Sequence, residues 1–172
     1  GRVREKVSFS AYLFYKHAGG GGEGEDARKD EYGECLTPES MVRQTQQMVQ
    51  QYGFKSIKLK AGVLDPDQEI ETIRQLRQEF GSDFPLRIDP NSAWKLETSL
   101  EVGRALKEEL SNGGYLEDPC AGLDNLATLR QQLLSEGIDT PNASNVAITS
   151  FAHLPENVRK DAVQVILCDH HY

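Results

Sequence analysis

Three short apolar runs, each ending in a charged residue, recur at similar intervals along the chain. The first run ends at Lys60, the second at Asp89 and the third at Glu117. Each run has the length and residue alternation of a β-strand, and a segment with helical periodicity separates it from the next. Because neighbouring parallel strands need a crossover, usually a helix, this alternation predicts a parallel sheet with right-handed connections.

The helices between these strands are recognised by their start signals and their apolar spacing. Thr37 can cap a helix that begins at Pro38 and stops at Gly53, and Pro66 can begin the next helix. In all, about six strands and five helices are predicted from these patterns. The strands are 7–15, 54–60, 86–91, 115–119, 141–148 and 163–168, and the helices are 38–52, 67–80, 95–110, 123–134 and 155–162.

Polar residues at the strand ends favour a barrel over an open sheet. Lys60, Asp89, Glu117, Asn145 and Asp169 follow successive predicted strands, and a (β/α)₈ barrel gathers such groups at one face. A doubly wound nucleotide-binding sheet would need a glycine fingerprint at its first turn, which is missing here. We therefore predict the α/β class and a partial (β/α) TIM-type barrel, because a complete barrel takes about 250 residues and this chain has 172.

The composition restricts the classes of partner. The formal net charge is -8, and basic residues do not form a stripe that could follow a phosphate backbone. No apolar run approaches membrane-spanning length, and no signal-peptide pattern is present. Cys35, Cys120 and Cys168 are odd in number and widely spaced, which is typical of reduced thiols. We predict a cytoplasmic protein that binds neither nucleic acid nor membrane.

Two lysines one residue apart, Lys58 and Lys60, predict the chemistry of the first strand. Alternate side chains of an extended strand share a face, so both ammonium groups point to one place, opposite Ile57 and Leu59. A second ammonium and a metal ion would both lower the pKa of a lysine in this pair. The pair therefore indicates a general base for an acid substrate, although a solvated strand face is the plainer alternative.

Oxygen ligands are predicted at the ends of the later strands. The carboxylates of Asp89 and Glu117, with the amide of Asn145, are the hard ligands that Mg²⁺ prefers. Helix capping and ion pairing are the structural alternatives for these acids. The glycine-rich stretch 19–26 is itself acidic and is predicted to be either a loop that closes over a substrate or a flexible linker.

A set of motifs along almost the whole chain resembles the glucarate dehydratase family of the enolase superfamily. The motifs are Tyr12-Leu13-Phe14, Tyr52-Gly53-Phe54, Ile57-Lys58-Leu59-Lys60, Arg87-Ile88-Asp89-Pro90-Asn91, Ala93-Trp94, Glu117-Asp118-Pro119, Asn145, and Val163-Gln164-Val165 followed by Asp169. The resemblance implies a magnesium-assisted removal of the proton α to a carboxylate of D-glucarate, then β-elimination of water to 5-keto-4-deoxyglucarate. It also implies that residues 1–172 are an incomplete C-terminal barrel domain of a homo-oligomer, without the capping domain and the last barrel strands.

The resemblance further implies roles for individual residues. Lys60 resembles the base, Lys58 its neighbour on the substrate carboxylate, and Asp169 the aspartate that orients a catalytic histidine. The other implied positions are Tyr12, Lys58, Asp89, Asn91 and Asn145 for the substrate, and Asp89, Asn145 and either Glu117 or Asp124 for the metal. In the family the histidine lies on a strand beyond Tyr172, so we expect this segment alone to be inactive.

Three alternatives stay open at this point. The chain could be a noncatalytic fragment or pseudoenzyme whose barrel face only binds its ligand. It could belong to another acid-sugar dehydratase of the same superfamily. It could also be a barrel aldolase in which Lys58 or Lys60 forms a Schiff base with the substrate.

Overall fold

The computed structural model describes residues 3, 5–18, 30 and 33–168. Within this part of the chain six strands form one sheet in the order β1-β2-β3-β4-β5-β6, and every neighbouring pair is parallel. The strands are β1 (Ala11–Leu13), β2 (Ile57–Lys60), β3 (Leu86–Asp89), β4 (Tyr115–Glu117), β5 (Asn142–Ser144) and β6 (Val165–Ile166). The α-helices are α1 (Pro38–Tyr52), α2 (Pro66–Phe80), α3 (Leu96–Ala105), α4 (Leu123–Ser135) and α5 (Leu154–Lys160), with a 3₁₀ turn at Phe151–His153.

The strand order confirms the predicted parallel α/β architecture. Each strand pairs with the next strand along the chain, so the described sheet has no point at which the order reverses. A doubly wound sheet has such a switch point, whereas a barrel does not. The sheet therefore runs as a barrel wall would.

The helix boundaries follow the start and stop signals in the sequence. Thr37 and Ser40 cap α1 reciprocally: the Ser40 backbone N–H donates to Thr37 Oγ1 at 3.2 Å, and the Thr37 N–H donates to Ser40 Oγ at 2.9 Å. Gly53 ends the helix in the left-handed region, at φ 69°, and its N–H donates to the Val49 carbonyl. These contacts satisfy backbone groups that a helix end otherwise leaves unpaired.

Several predicted elements are longer than the observed ones. The β1 ladder covers 11–13 rather than 7–15, and β5 covers 142–144 rather than 141–148. After β5 the chain turns, because the Ala147 N–H donates to Ser144 Oγ at 2.8 Å instead of joining a ladder. Helix α3 ends at Ala105, and turns replace its predicted continuation to residue 110. The pattern of apolar residues overestimated the lengths of these elements, because it does not indicate where the backbone hydrogen bonding ends.

The apolar core lies on the helix side of the sheet. Alternation along β2 buries Ile57 and Leu59 completely and leaves Lys58 and Lys60 half-buried on the opposite face. The fully buried side chains of this core include Leu13, Leu86, Ile88 and Leu116 from the strands and Met41, Ile73, Leu76 and Leu126 from the helices. Helices cover one face of the sheet, and the polar strand residues line the opposite, inner face.

No helix in the described ranges combines the length and apolar character that a membrane crossing needs.

Candidate active site

The ends of β2, β3 and β4 bring two lysines and two carboxylates into direct contact. Lys58 Nζ lies 2.6 Å from Glu117 Oε1 and 3.3 Å from Asp89 Oδ2, and Lys60 Nζ lies 3.0 Å from the same Asp89 oxygen. Both carboxylate side chains are only 3% exposed. The in-register pairing of Lys60 with Asp89 across β2 and β3 creates this arrangement.

Asn91 and Tyr12 complete the hydrogen bonding of this cluster. Lys60 Nζ donates to Asn91 Oδ1 at 2.9 Å, and the Asn91 backbone N–H donates to Asp89 Oδ1 at 3.0 Å. Asn91 has φ 52°, a left-handed conformation that asparagine tolerates better than most residues. The Tyr12 hydroxyl donates to Asp89 Oδ2 at 3.0 Å, while its ring centroid lies 4.6 Å from Lys58 Nζ. The tyrosine therefore contacts both members of an ion pair.

These groups line one cavity of about 390 Å³. Its lining residues are Tyr12, Lys58, Lys60, Asp89, Asn91, Tyr115, Glu117, Asn145, Leu167 and Cys168. All the site residues predicted from the sequence are among them except Asp124 and Asp169. A second cavity, of about 460 Å³, adjoins it beside Asn145 but has no charged lining residue among those described, so it offers no comparable chemistry.

Of the remaining two predicted site residues, Asp124 lies away from the cavity and Asp169 lies outside the described residues. Asp124 lies in the first turn of α4 with a side chain that is 87% exposed, and its carboxylate pairs with Lys160 at 2.5 Å. Of the two candidates for the remaining acidic ligand, Glu117 is the one that lies in the cavity. Asp169 and the glycine-rich stretch 19–26 lie outside the described residues, so their predicted roles stay predictions.

The two carboxylates determine the charge state of Lys58. Burial lowers the pKa of Lys58, but its hydrogen bond to Glu117 and the charges of Glu117 and Asp89 outweigh burial, so the net pKa is raised. The sequence predicts a lowered pKa for a lysine of the pair, and for Lys58 the carboxylates reverse that direction. Lys58 is therefore held as an ammonium ion in this arrangement.

The carboxyl groups respond to the same contacts in different ways. Burial raises the pKa of Asp89, yet hydrogen bonding to Lys60 and the charges of both lysines hold it below its usual range. Burial raises the pKa of Glu117, and the Asp89 charge adds to this although Lys58 opposes it. The Lys58–Glu117 pair is charged, because a separation of 2.6 Å between Nζ and Oε1 is that of a charge-assisted hydrogen bond.

The acids have the character of a divalent-cation site. Glu117 Oε2 is buried and accepts no hydrogen bond from the described residues, while Oε1 and Asp89 Oδ2 already converge on one ammonium. A buried oxygen without a donor, beside a second carboxylate, fits a hard cation. In the described ranges no three His, Cys, Asp or Glu side chains are grouped to hold a metal. The amide of Asn145 also lines the cavity, and an amide oxygen is a hard ligand of the kind that such a cation takes.

The sequence interpretation overlooked two buried acids next to this site. Glu69 is fully buried, and its carboxylate accepts the N–H groups of Gly62, Val63 and Leu64 at 2.9 to 3.0 Å, in the loop that follows Lys60. A signal for Glu69 was available, because it shares the inner face of α2 with Ile73, four residues later. Asp118, directly after Glu117, is also buried, and its position in the Glu117-Asp118-Pro119 motif gave no indication of its partners.

Comparisons with known proteins agree with this geometry. Residues 40–172 match the family described as enolase C-terminal domain-like. The chain is 42% identical, over all its 172 residues, to a probable glucarate dehydratase of Streptomyces coelicolor, and covers 38% of that protein. It is 32% identical over 115 residues, or 67% of the chain, to the L-talarate/galactarate dehydratase of Salmonella typhimurium, covering 28% of that protein.

A solved structure supports the fold assignment. An enolase from Gibberella zeae, complexed with magnesium, formate and sulfate, matches the whole chain with a TM-score of 0.86 at 44% identity, over 37% of that structure's chain. This similarity confirms the partial barrel predicted from the strand order. The chain spans between 28% and 38% of the length of these relatives.

Proposed function

We propose that this chain, which belongs to the enolase C-terminal domain-like family, forms the proton-abstracting side of the active site of an acid-sugar dehydratase. Glucarate is the proposed substrate, because the relative that matches the whole chain is a probable glucarate dehydratase. The observation that carries the proposal is the convergence of Lys58, Lys60, Asp89 and Glu117 in one cavity. We further propose that residues 1–172 are part of a larger barrel domain.

The charge of the cavity suits an acid sugar that binds together with a divalent cation. Two ammonium groups, Lys58 and Lys60, face two carboxylates, Asp89 and Glu117, so the four side chains balance one another. An aldarate brings two negative charges and Mg²⁺ brings two positive ones, so the filled site would also be balanced. This matters because uncompensated charge in a half-buried site is costly.

Asp89, Glu117 and Asn145 are the residues that would hold Mg²⁺. When bound, the ion would stabilise the negative charge that develops on the substrate carboxylate as the α-proton leaves. The support for this ligand set is the burial of both acids and the buried Oε2 of Glu117, which has no donor among the described residues.

The two lysines would have different roles, one in proton abstraction and the other in binding the substrate carboxylate. Lys60 Nζ, held by Asp89 and Asn91, would accept the α-proton once it is neutral. Lys58 Nζ would turn from the two acids to the substrate carboxylate and hold it as an ammonium ion. Tyr12 and Asn91 would bind the substrate hydroxyl groups that lie between them. Histidine is absent from the described cavity lining, so we assign no residue here to protonating the leaving hydroxide.

The raised pKa of Lys58 disfavours the aldolase alternative for that residue. A Schiff base forms from a neutral amine, whereas Glu117 and Asp89 keep Lys58 protonated. Treatment with borohydride and a keto acid would form a stable adduct on an aldolase lysine. We expect no adduct.

The test separates proton abstraction from dehydration. D-Glucarate is incubated with the protein and Mg²⁺ in D₂O, and α-deuterium incorporation is followed by NMR alongside keto-acid formation. We expect α-deuterium incorporation that needs Mg²⁺ and is lost in Lys60→Gln, without keto-acid formation, because dehydration is the activity that we expect this segment alone to lack. The matched control is Lys55→Gln, because Lys55 is an exposed lysine just before β2. Incorporation at the parent rate in Lys60→Gln would refute the assigned base, and none in the parent protein would favour a noncatalytic role.

A further inference from the structure

Asp118 is a buried carboxylate that the proposed chemistry does not use. Its side chain follows Glu117 directly, is 1% exposed and is not among the residues that line the cavity. Its backbone is in the left-handed region, at φ 40°, where an ordinary residue is under strain. A buried acid in a strained conformation requires a structural explanation.

The carboxylate of Asp118 binds the start of the loop that follows β5. Oδ1 accepts a hydrogen bond from Ser144 Oγ at 2.5 Å, and Oδ2 accepts one from the Asn145 backbone N–H at 3.2 Å. Ser144 Oγ in turn accepts the N–H of Ala147 at 2.8 Å. The turn that presents Asn145 to the cavity is therefore built on this one carboxylate.

The backbone of Asp118 binds the neighbouring elements on both sides. Its carbonyl oxygen accepts the N–H of Ser92 at 2.6 Å, next to Asn91 in the loop after β3. Its own N–H donates to the carbonyl of Ala143 in β5 at 2.9 Å. Asp118 thus connects the loops that follow β3 and β5, while Glu117 is its neighbour in the chain.

The side chain of Asp118 acts as a hydrogen-bond acceptor. None of the ion pairs among the described residues includes Asp118, and its two oxygens face the Ser144 hydroxyl and the backbone N–H groups of Asn145 and Val146. An asparagine has nearly the same shape but only one acceptor oxygen, so either the Ser144 hydroxyl or a backbone N–H loses its acceptor. The Asp118→Asn change therefore removes one of two acceptor oxygens and keeps the volume.

We propose that Asp118 is a positioning residue, whose carboxylate holds the loop carrying Asn145 beside Glu117 so that the Asn145 side chain reaches the cation and substrate site. The geometric part of this inference stands on the hydrogen bonds alone. Its consequence for Mg²⁺ rests on the proposed function. Removal of a group that holds a metal ligand in place typically weakens metal affinity by about 10- to 100-fold.

Two measurements on Asp118→Asn test the proposal. The first is amide hydrogen exchange without Mg²⁺. We expect exchange to become about tenfold faster at residue 145, through the loss of roughly one buried hydrogen bond, and to stay unchanged at residue 92, whose N–H donates to the Asp118 backbone carbonyl. The second is the Mg²⁺ dissociation constant by calorimetry, which we expect to rise by about tenfold or more. The control is Leu133→Ala, which removes a buried α4 side chain outside the cavity. It should lower the melting temperature but leave both measurements unchanged.

The outcomes separate this inference from the proposed function. Unchanged exchange at residue 145 of folded Asp118→Asn would overturn the positioning role, as would faster exchange with an unchanged Mg²⁺ dissociation constant. If the parent protein does not bind Mg²⁺, the proposed metal site is refuted, and exchange alone decides whether Asp118 holds the loop after β5. Should Asp118→Asn not fold, Ser144→Ala takes its place. It should speed exchange at residues 145–147 and leave residue 92 unaffected.

Discussion

Lys58 is the counter-charge of both buried acids, so its replacement by methionine should destabilise the protein strongly. Its Nζ lies 2.6 Å from Glu117 and 3.3 Å from Asp89, with side-chain exposures of 18% for the lysine and 3% for each acid. Breaking a buried ion pair costs about 3–5 kcal/mol, because a charge is left uncompensated. Methionine keeps most of the side-chain volume, so little packing is lost. The partial solvation of Lys58 places the cost at the lower end of this range. We therefore expect Lys58→Met to lower the free energy of unfolding by about 3 kcal/mol.

The same geometry predicts that Mg²⁺ rescues this variant. In the parent protein the ion must displace an ammonium that already binds both acids, whereas Lys58→Met frees Glu117 and leaves only Lys60 as a competitor, at Asp89. A ligand that binds only the folded state stabilises it by about 2.7 kcal/mol at a hundredfold excess over its dissociation constant. Mg²⁺ should thus recover most of the loss, and should stabilise the variant more than the parent.

Urea unfolding followed by circular dichroism, in EDTA and in excess Mg²⁺, measures both effects. Lys55→Met is the matched control, since it makes the same charge change at an exposed lysine near β2 and should respond little in either condition. A loss below about 1 kcal/mol in EDTA is what a solvated pair would give, and it would refute the reasoning. A large loss of unfolding free energy that excess Mg²⁺ does not reduce would also refute it.

Three further predictions concern the surroundings of this cluster. Tyr12→Phe removes a hydrogen bond to Asp89 and should cost about 1 kcal/mol of unfolding free energy in urea titration; no loss would mean that the bond is not formed in solution. Gly62→Ala would place a Cβ 2.8 Å from atoms of the loop after β3, whereas Gly53→Ala, at a similar positive φ, meets nothing within 4 Å. We expect Gly62→Ala to be less stable than Gly53→Ala by about 1–3 kcal/mol, and equal melting curves would contradict this. Finally, the folded-state pKa of Lys58 is raised, so its stabilisation is complete below about pH 10.4, its unfolded value, and is lost as the pH rises through the folded pKa. In urea titrations the stability gap between the parent and Lys58→Met should therefore stay constant up to about pH 10 and narrow at higher pH, and a gap that widens there would exclude the ion pair.

Local signals were sufficient to predict most of the fold. Thr37, Pro38 and Gly53 mark α1 because helix ends have specific chemical requirements. The order of strands and helices followed from apolar periodicity. The ends of β1 and β5 could not be predicted, because they depend on where a neighbouring strand stops offering partners.

The part of the candidate site that is formed by contacts between strand side chains could be predicted from the sequence. Alternation along β2 placed Lys58 and Lys60 on one face, and the strand ends placed Asp89 and Glu117 beside them. Asp118 was missed because its partners include backbone groups of a loop whose conformation is not visible in the sequence. Glu69 was missed for the same reason, because its partners are also backbone groups of a loop. The direction of the Lys58 pKa shift depends on distances to two acids that the sequence does not give.

The agreement between strand order and chain order has a consequence for synthesis on the ribosome. Each new strand finds its partner in the one made just before it, so the sheet can grow by one strand and one helix at a time. The cationic strand β2 precedes both acids, and its charges are neutralised in two steps, by Asp89 of β3 and then by Glu117 of β4. A sheet that ended before β4 would hold two ammonium groups against the single carboxylate of Asp89, with one positive charge left uncompensated.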